Sequence, residues 1–182
     1  LTRPGPESPL PAVRWEDDTA SAAAWTAAVG EAVKRIATGE LDKVVLAREV
    51  VAHFDGPVPL TTVLRRLADR YPACWTFHVQ GLVGATPELL VRRSREQVTS
   101  RVLAGSVASR TSTRSNDQAA AALQASSKDL DEHEYAVRSV AHALAIHCTD
   151  LAVPDEPSVL RLANVQHLAT DVTGSLADGA SA

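Results

Sequence analysis

Four places in this 182-residue sequence hold residue types with chemical potential. Lys43 opens KVVLAR, where a lysine at a strand edge is ordinarily a solvated charge. Glu88 lies in GATPELLV, just after Pro87 restrains the chain and just before an apolar run. Residues 103–106 read LAGS, a small-residue turn whose backbone N–H groups could come close to a carboxylate. Asp129, Asp131, Glu132 and Glu134 surround His133 in the first turns of a helix, where acids complement the macrodipole. Magnesium binds a few carboxylate oxygens plus waters, so one of these acids could be a ligand, and spacing alone does not choose which. His133, His142 and His147 do not form an HExxH pattern, and two cysteines, Cys74 and Cys148, are too few for a zinc site or a disulfide framework.

The elements that must position these residues follow from periodicity. Residues 1–18 contain four prolines and read as a flexible lead-in, with Asp17, Asp18 and Thr19 able to start a helix. Trp25, Val29, Val33 and Ile36 recur at helical spacing until Gly39. A strand with a buried centre is predicted from Lys43 to Val51. A helix carrying Val63, Leu64 and Leu67 ends at Pro72. Between Trp75 and Leu103 the stretches WTFHV, ELLVRR and QVTSRVLA read as short sequential strands, which favours antiparallel pairing. Helix returns over 115–147, broken near Ser126 and Ser127, with Leu130, Val137, Val140, Ala141 and Leu144 on its apolar face. A last extended segment runs from Val159 to Leu176. Strands and helices in blocks predict an α+β, or layered α/β, fold of antiparallel sheets packed with helices, with one domain over 19–182.

Composition narrows the function classes. With 18 basic and 22 acidic residues the net charge is −4, and the basic residues form no stripe, so there is no electrostatic footprint for nucleic acid. Hydrophobic residues make up 45% and charged residues 22%, which excludes a wholly disordered chain. No apolar run approaches the ~20 residues of a membrane-spanning helix, and no secretory signal opens the chain, so a cytoplasmic protein is expected. The sequence holds no methionine, which predicts a portion of a longer polypeptide.

Taken together, KVVLAR, GATPELLV, LAGS, SSKDLDEHEYAV and VQHLATDVTGSL resemble the chorismate-utilising enzyme family, in order and in separation. Glu88 to Gly105 is 17 residues, Gly105 to Glu132 is 27, and Glu132 to His167 is 35. The resemblance implies a large antiparallel sheet fold, chorismate as substrate and Mg2+ as cofactor. Lys43 resembles the position occupied in the water-using branch, the isochorismate and salicylate synthases, where the ammonia-using anthranilate synthases carry glutamine. Ala104 stands where aminodeoxychorismate synthases carry a lysine, which argues against a covalent lysine intermediate. The Ala169–Thr170 pair is more like siderophore-type isochorismate synthases. Isochorismate synthase chemistry, for siderophores or menaquinone, is therefore the implied activity, with a salicylate synthase as the nearest alternative and a catalytically inactive metal- or partner-binding fragment as a rival of another kind.

By that resemblance Lys43 is the general base, Glu88 the general acid, Glu132 the metal ligand, Gly105 and Ser106 the substrate-contacting turn, and His167 a residue lining the site. Adding water at C2 of chorismate needs a base, so the lysine must pass through its neutral form. Expelling the C4 hydroxyl needs a protonated acid. The resemblance covers about the first half of the family's catalytic domain, which implies a truncated fold. The chain alone is then expected to be inactive, and to associate with the missing C-terminal half or through a cut sheet edge.

Overall fold

The structure, a computed structural model, describes residues 9–16, 19–110 and 112–177. The chain divides into two compact units, Leu1–Val63 and Leu64–Ala182.

In the first unit, β1 (Val13–Trp15) pairs antiparallel with β2 (Ala52–Phe54), and α1 spans Thr19–Ala37. Gly39, at φ +73°, follows α1 where the chain must leave the helix in a left-handed conformation. Part of the expected lead-in is thus a strand, because Val13–Trp15 finds its partner in Ala52–Phe54, far along the chain, which local pattern does not reveal. Residues 1–8, Asp17 and Asp18 from that expectation lie outside the described residues. The strand predicted from Lys43 to Val51 is not formed: that segment is irregular, and only Ala52–Phe54 is paired. A β-branched run supplies propensity, but a strand also needs a neighbouring ladder and a surface to bury against. Val45 is 79% exposed, and Val44, Val50 and Val51 are exposed as well.

The second unit holds the core. Helix α2 (Leu60–Arg70) crosses the boundary between the units and leads to the hairpin β3 (Trp75–Val79) and β4 (Leu82–Thr86). A four-stranded antiparallel sheet follows, in the order β5 (Leu89–Ser94), β6 (Gln97–Ala108), β8 (Val165–Ser175), β7 (Ser158–Arg161). The final extended segment is therefore a hairpin, turning at residues 162–164.

Helices α3 (Thr113–Gln124) and α4 (Ser127–Ala145) are separated where the sequence predicted. Ser126 caps α4, its side chain accepting from the Asp129 amide at 3.3 Å. The stripe Leu130, His133, Val137, Val140, Leu144 faces the sheet, and Val137 packs with Val102 of β6 and Val172 of β8. The α+β expectation holds. Among the described residues, all buried hydrophobic side chains lie between Val98 and Val172.

Candidate active site

The site is organised by an irregularity in the β6–β8 ladder. Ala104 pairs with Leu168, but the next pair is Ser106 with His167, leaving Gly105 as an extra residue. LAGS is thus a bulge inside a twelve-residue strand, not a connecting turn. The bulge has a chemical consequence. In an unbroken ladder Ser106 would share the face of Val102 and Ala104, which α4 covers. The inserted residue turns Ser106 to the opposite face, where its Oγ lies 2.7 Å from His167 Nδ1.

Only glycine suits the insertion. Gly105 has φ +76°, and a Cβ there would stand 3.2 Å from both the Asp129 Cβ and the Leu168 Cδ1, and 3.3 Å from the Asp129 carbonyl oxygen. The space that lacks a Cβ is filled by α4 and by β8.

Glu88, exposed just before β5, has its backbone N–H bound to the Thr86 hydroxyl at 3.2 Å. It lines a cavity of about 360 Å3 at the β5–β6 end of the sheet, shared with Thr86, Leu89, Arg101, Val102 and, from α4, Val140. Burial pushes the His167 imidazole below its usual range, opposed by the Glu88 carboxylate and by the Gly105 carbonyl. The imidazole and the Ser106 hydroxyl thus face one surface of the sheet, with the Glu88 carboxylate near enough to act on the imidazole through its charge. Beyond them on the same face, Arg101 grips Asp171 through two bonds of 2.7 and 2.8 Å, which holds the Asp171 carboxyl below its usual range.

Of the residues singled out from sequence, Gly105, Ser106 and His167 therefore meet, and Glu88 reaches His167 through its charge. Glu132 lies half-buried on α4, one turn beyond the Asp129 that packs on Gly105. Asp131 and Glu134 are exposed. Among the described residues no three His, Cys, Asp or Glu side chains converge as a metal cage. Lys43 belongs to the first unit, half-buried in the irregular stretch after α1.

Sequence reasoning left His133 without a role, yet it is 3% exposed. Its Nδ1 lies 3.1 Å from the Ala104 carbonyl and its Nε2 2.8 Å from the Thr170 hydroxyl. Burial lowers its pKa, opposed by the Ala104 carbonyl. The signal was present: His133 falls on the apolar stripe between Leu130 and Val137, where a polar side chain must be satisfied internally.

Comparison with known proteins gives concordant matches. The family described as chorismate binding enzyme matches residues 3–182. The isochorismate synthase MenF of Bacillus subtilis is 33% identical over 183 residues, covering 94% of this chain and 39% of that protein. The isochorismate synthase DhbC of the same organism is 38% identical over 168 residues, covering 82% of this chain and 40% of its own length. The solved structure of MenF, the menaquinone-specific isochorismate synthase from Escherichia coli, superposes with a TM-score of 0.79 at 31% identity, over 97% of this chain and 42% of that one. The chain thus spans about 40% of the length of these relatives. Among the described residues no helix is long and apolar enough to cross a membrane.

Proposed function

The chain belongs to the chorismate binding enzyme family, and from that premise we propose that it is the chorismate-handling portion of an isochorismate synthase. In the proposed reaction water adds at C2 of chorismate, the ring double bonds shift, and the C4 hydroxyl leaves. The observation that carries the reading is the Ser106–His167 pair assembled by the Gly105 bulge, within reach of the Glu88 charge, in a chain similar to several isochorismate synthases.

In this reading Lys43 in its neutral form takes a proton from the attacking water. Glu88, exposed to the cavity beside β5, gives its proton to the departing hydroxyl. Each such positioned group contributes about 10²–10⁴ in rate. Ser106 and His167 line the substrate surface, held to one another by their hydrogen bond.

Glu132 offers one half-buried carboxylate near the N-terminus of α4. That suits Mg2+, which keeps several waters and takes one or two protein carboxylates together with an anionic substrate. The ion would clamp the ring carboxylate and offset negative charge developing as the ring rearranges.

Menaquinone or siderophore synthesis is the proposed destination of the product. The chain alone is proposed to bind chorismate without turning it over. The apolar run at Val44, Val45 and Val50, exposed here, is the surface that a complementary part of such an enzyme would cover.

Two measurements test this. Chorismate with Mg2+ should raise the melting temperature, because a ligand that binds only the folded chain stabilises it, by about 2.7 kcal/mol at a hundredfold excess over Kd. Absence of any shift refutes chorismate handling. Where turnover is observed, a chromatographic assay should find isochorismate as the sole product. Salicylate with pyruvate overturns the assignment.

A further inference from the structure

His133 joins three parts of the second unit that sequence keeps far apart. It stands on α4, next to Glu132. Its Nδ1 contacts the carbonyl of Ala104, the residue before the Gly105 bulge, and its Nε2 contacts Thr170 on β8, three residues after His167. Both His133 and Thr170 are 3% exposed, so each ring nitrogen has a protein partner at a nearly buried position.

The donor pattern is forced. A carbonyl oxygen only accepts, so Nδ1 must carry a proton and donate to Ala104. In a neutral ring Nε2 is then the acceptor, and the Thr170 hydroxyl donates to it. One turn earlier on the same helix, Asp129 packs against the place where Gly105 lacks a Cβ. Two successive turns of α4 therefore grip the bulge, one by contact and one by a directed hydrogen bond.

The bulge is what brings Ser106 opposite His167. In an even ladder, Gly105 would take that place and Ser106 would face α4. Holding the Ala104 carbonyl toward α4 holds the ladder in its shifted register.

We propose that His133 is a positioning residue, a latch between α4, the Gly105 bulge and β8 that keeps the Ser106–His167 pair assembled and in fixed relation to Glu132. The role rests on the isochorismate synthase reading, since the residues held are those it employs. His133 touches no substrate in this account. It acts through the backbone of Ala104.

The test is a long-range 1H–15N spectrum of the 15N-labelled 182-residue chain, which reports the protonated nitrogen of each imidazole. The six histidines make assignment by single substitutions practical. In the unsubstituted chain His133 should carry its proton on Nδ1 alone. The His167 signals should differ from those of a Ser106→Ala chain, which lacks the hydroxyl partner.

In a His133→Leu chain the His167 signals should move to their Ser106→Ala positions. In a His133→Asn chain, whose amide N–H can reach the Ala104 carbonyl from the place of Nδ1, they should stay. A Val137→Ala chain, loosened in the same interface, should also leave them in place.

The proposal is overturned by a His133 proton on Nε2, by His167 signals unmoved in the leucine chain, or by equal movement in the asparagine or Val137→Ala chains. Should the leucine chain fail to fold, the proton placement and the asparagine chain decide alone. No arm uses chorismate or Mg2+, so failure of the latch and failure of the proposed function are separate results.

Discussion

Replacing Gly105 by alanine measures how strongly the bulge is held. Two costs arise. At φ +76° an L-residue pays for the left-handed conformation, about 1–2 kcal/mol. The new methyl also meets the Asp129 Cβ and Leu168 Cδ1 at 3.2 Å and the Asp129 carbonyl oxygen at 3.3 Å, closer than ordinary contact. Leu168 is fully buried and the Asp129 carbonyl is helix backbone, so neither moves freely. Overpacking of this kind costs about 1–3 kcal/mol. The sum is about 2–5 kcal/mol, a fall in Tm of about 4–20 °C for a chain of this size.

Gly81 supplies the control, at φ +89° in the β3–β4 turn with nothing within 4 Å of a built Cβ. Gly81→Ala should cost the conformational part alone, about 1–2 kcal/mol. Stiffening of the unfolded chain affects both substitutions alike and drops out of the comparison. The assay is urea denaturation followed by circular dichroism, on both variants and the parent. Equal destabilisation by the two substitutions would refute the claim that α4 and β8 crowd the bulge.

Further outcomes follow from the same geometry. Because burial depresses the His167 pKa, the folded chain holds that imidazole neutral while the unfolded chain takes up protons. Its contribution to stability is fully present above about pH 6.5 and lost as pH falls toward the folded-state value. Urea titrations at several pH values should show a smaller loss on acidification for His167→Asn than for the parent, and an identical slope contradicts the assignment. Asp171→Asn, which weakens a partly exposed ion pair, should cost only about 0.5–1 kcal/mol, with the loss shrinking in high salt. A salt-independent loss would point to packing instead. Glu88→Gln, at an exposed position, should change the unfolding free energy by no more than about 0.5 kcal/mol. In any assembly that turns over chorismate the same change should reduce kcat by about 10²–10⁴. A reduction below tenfold removes Glu88 as the acid.

Much of the fold was legible because its signals are local. Leu130, Val137, Val140 and Leu144 mark the buried face of α4 by spacing alone, and Ser126 marks its start. The strands β3, β5 and most of β6 announce themselves by β-rich runs between turn residues. The segment Lys43–Val51 misled because propensity names residues that suit a strand but supplies no partner to pair with. Likewise Val159–Leu176 reads as one extended piece, while its pairing register reveals a turn and two strands.

The candidate site divides along the same line. Residue types, order and separations identify the family, because they record which side chains the chemistry requires and how much chain lies between them. They do not reveal that Gly105 is a bulge, that Ser106 thereby meets His167 across 61 residues, or that His133 ties Ala104 to Thr170. Those facts belong to the tertiary structure. Which face a strand residue occupies depends on the register of its neighbour, and one inserted residue reverses it. Which hydrogen bonds a buried histidine makes depends on the carbonyls and hydroxyls that packing brings to it. Spacing along the chain encodes neither.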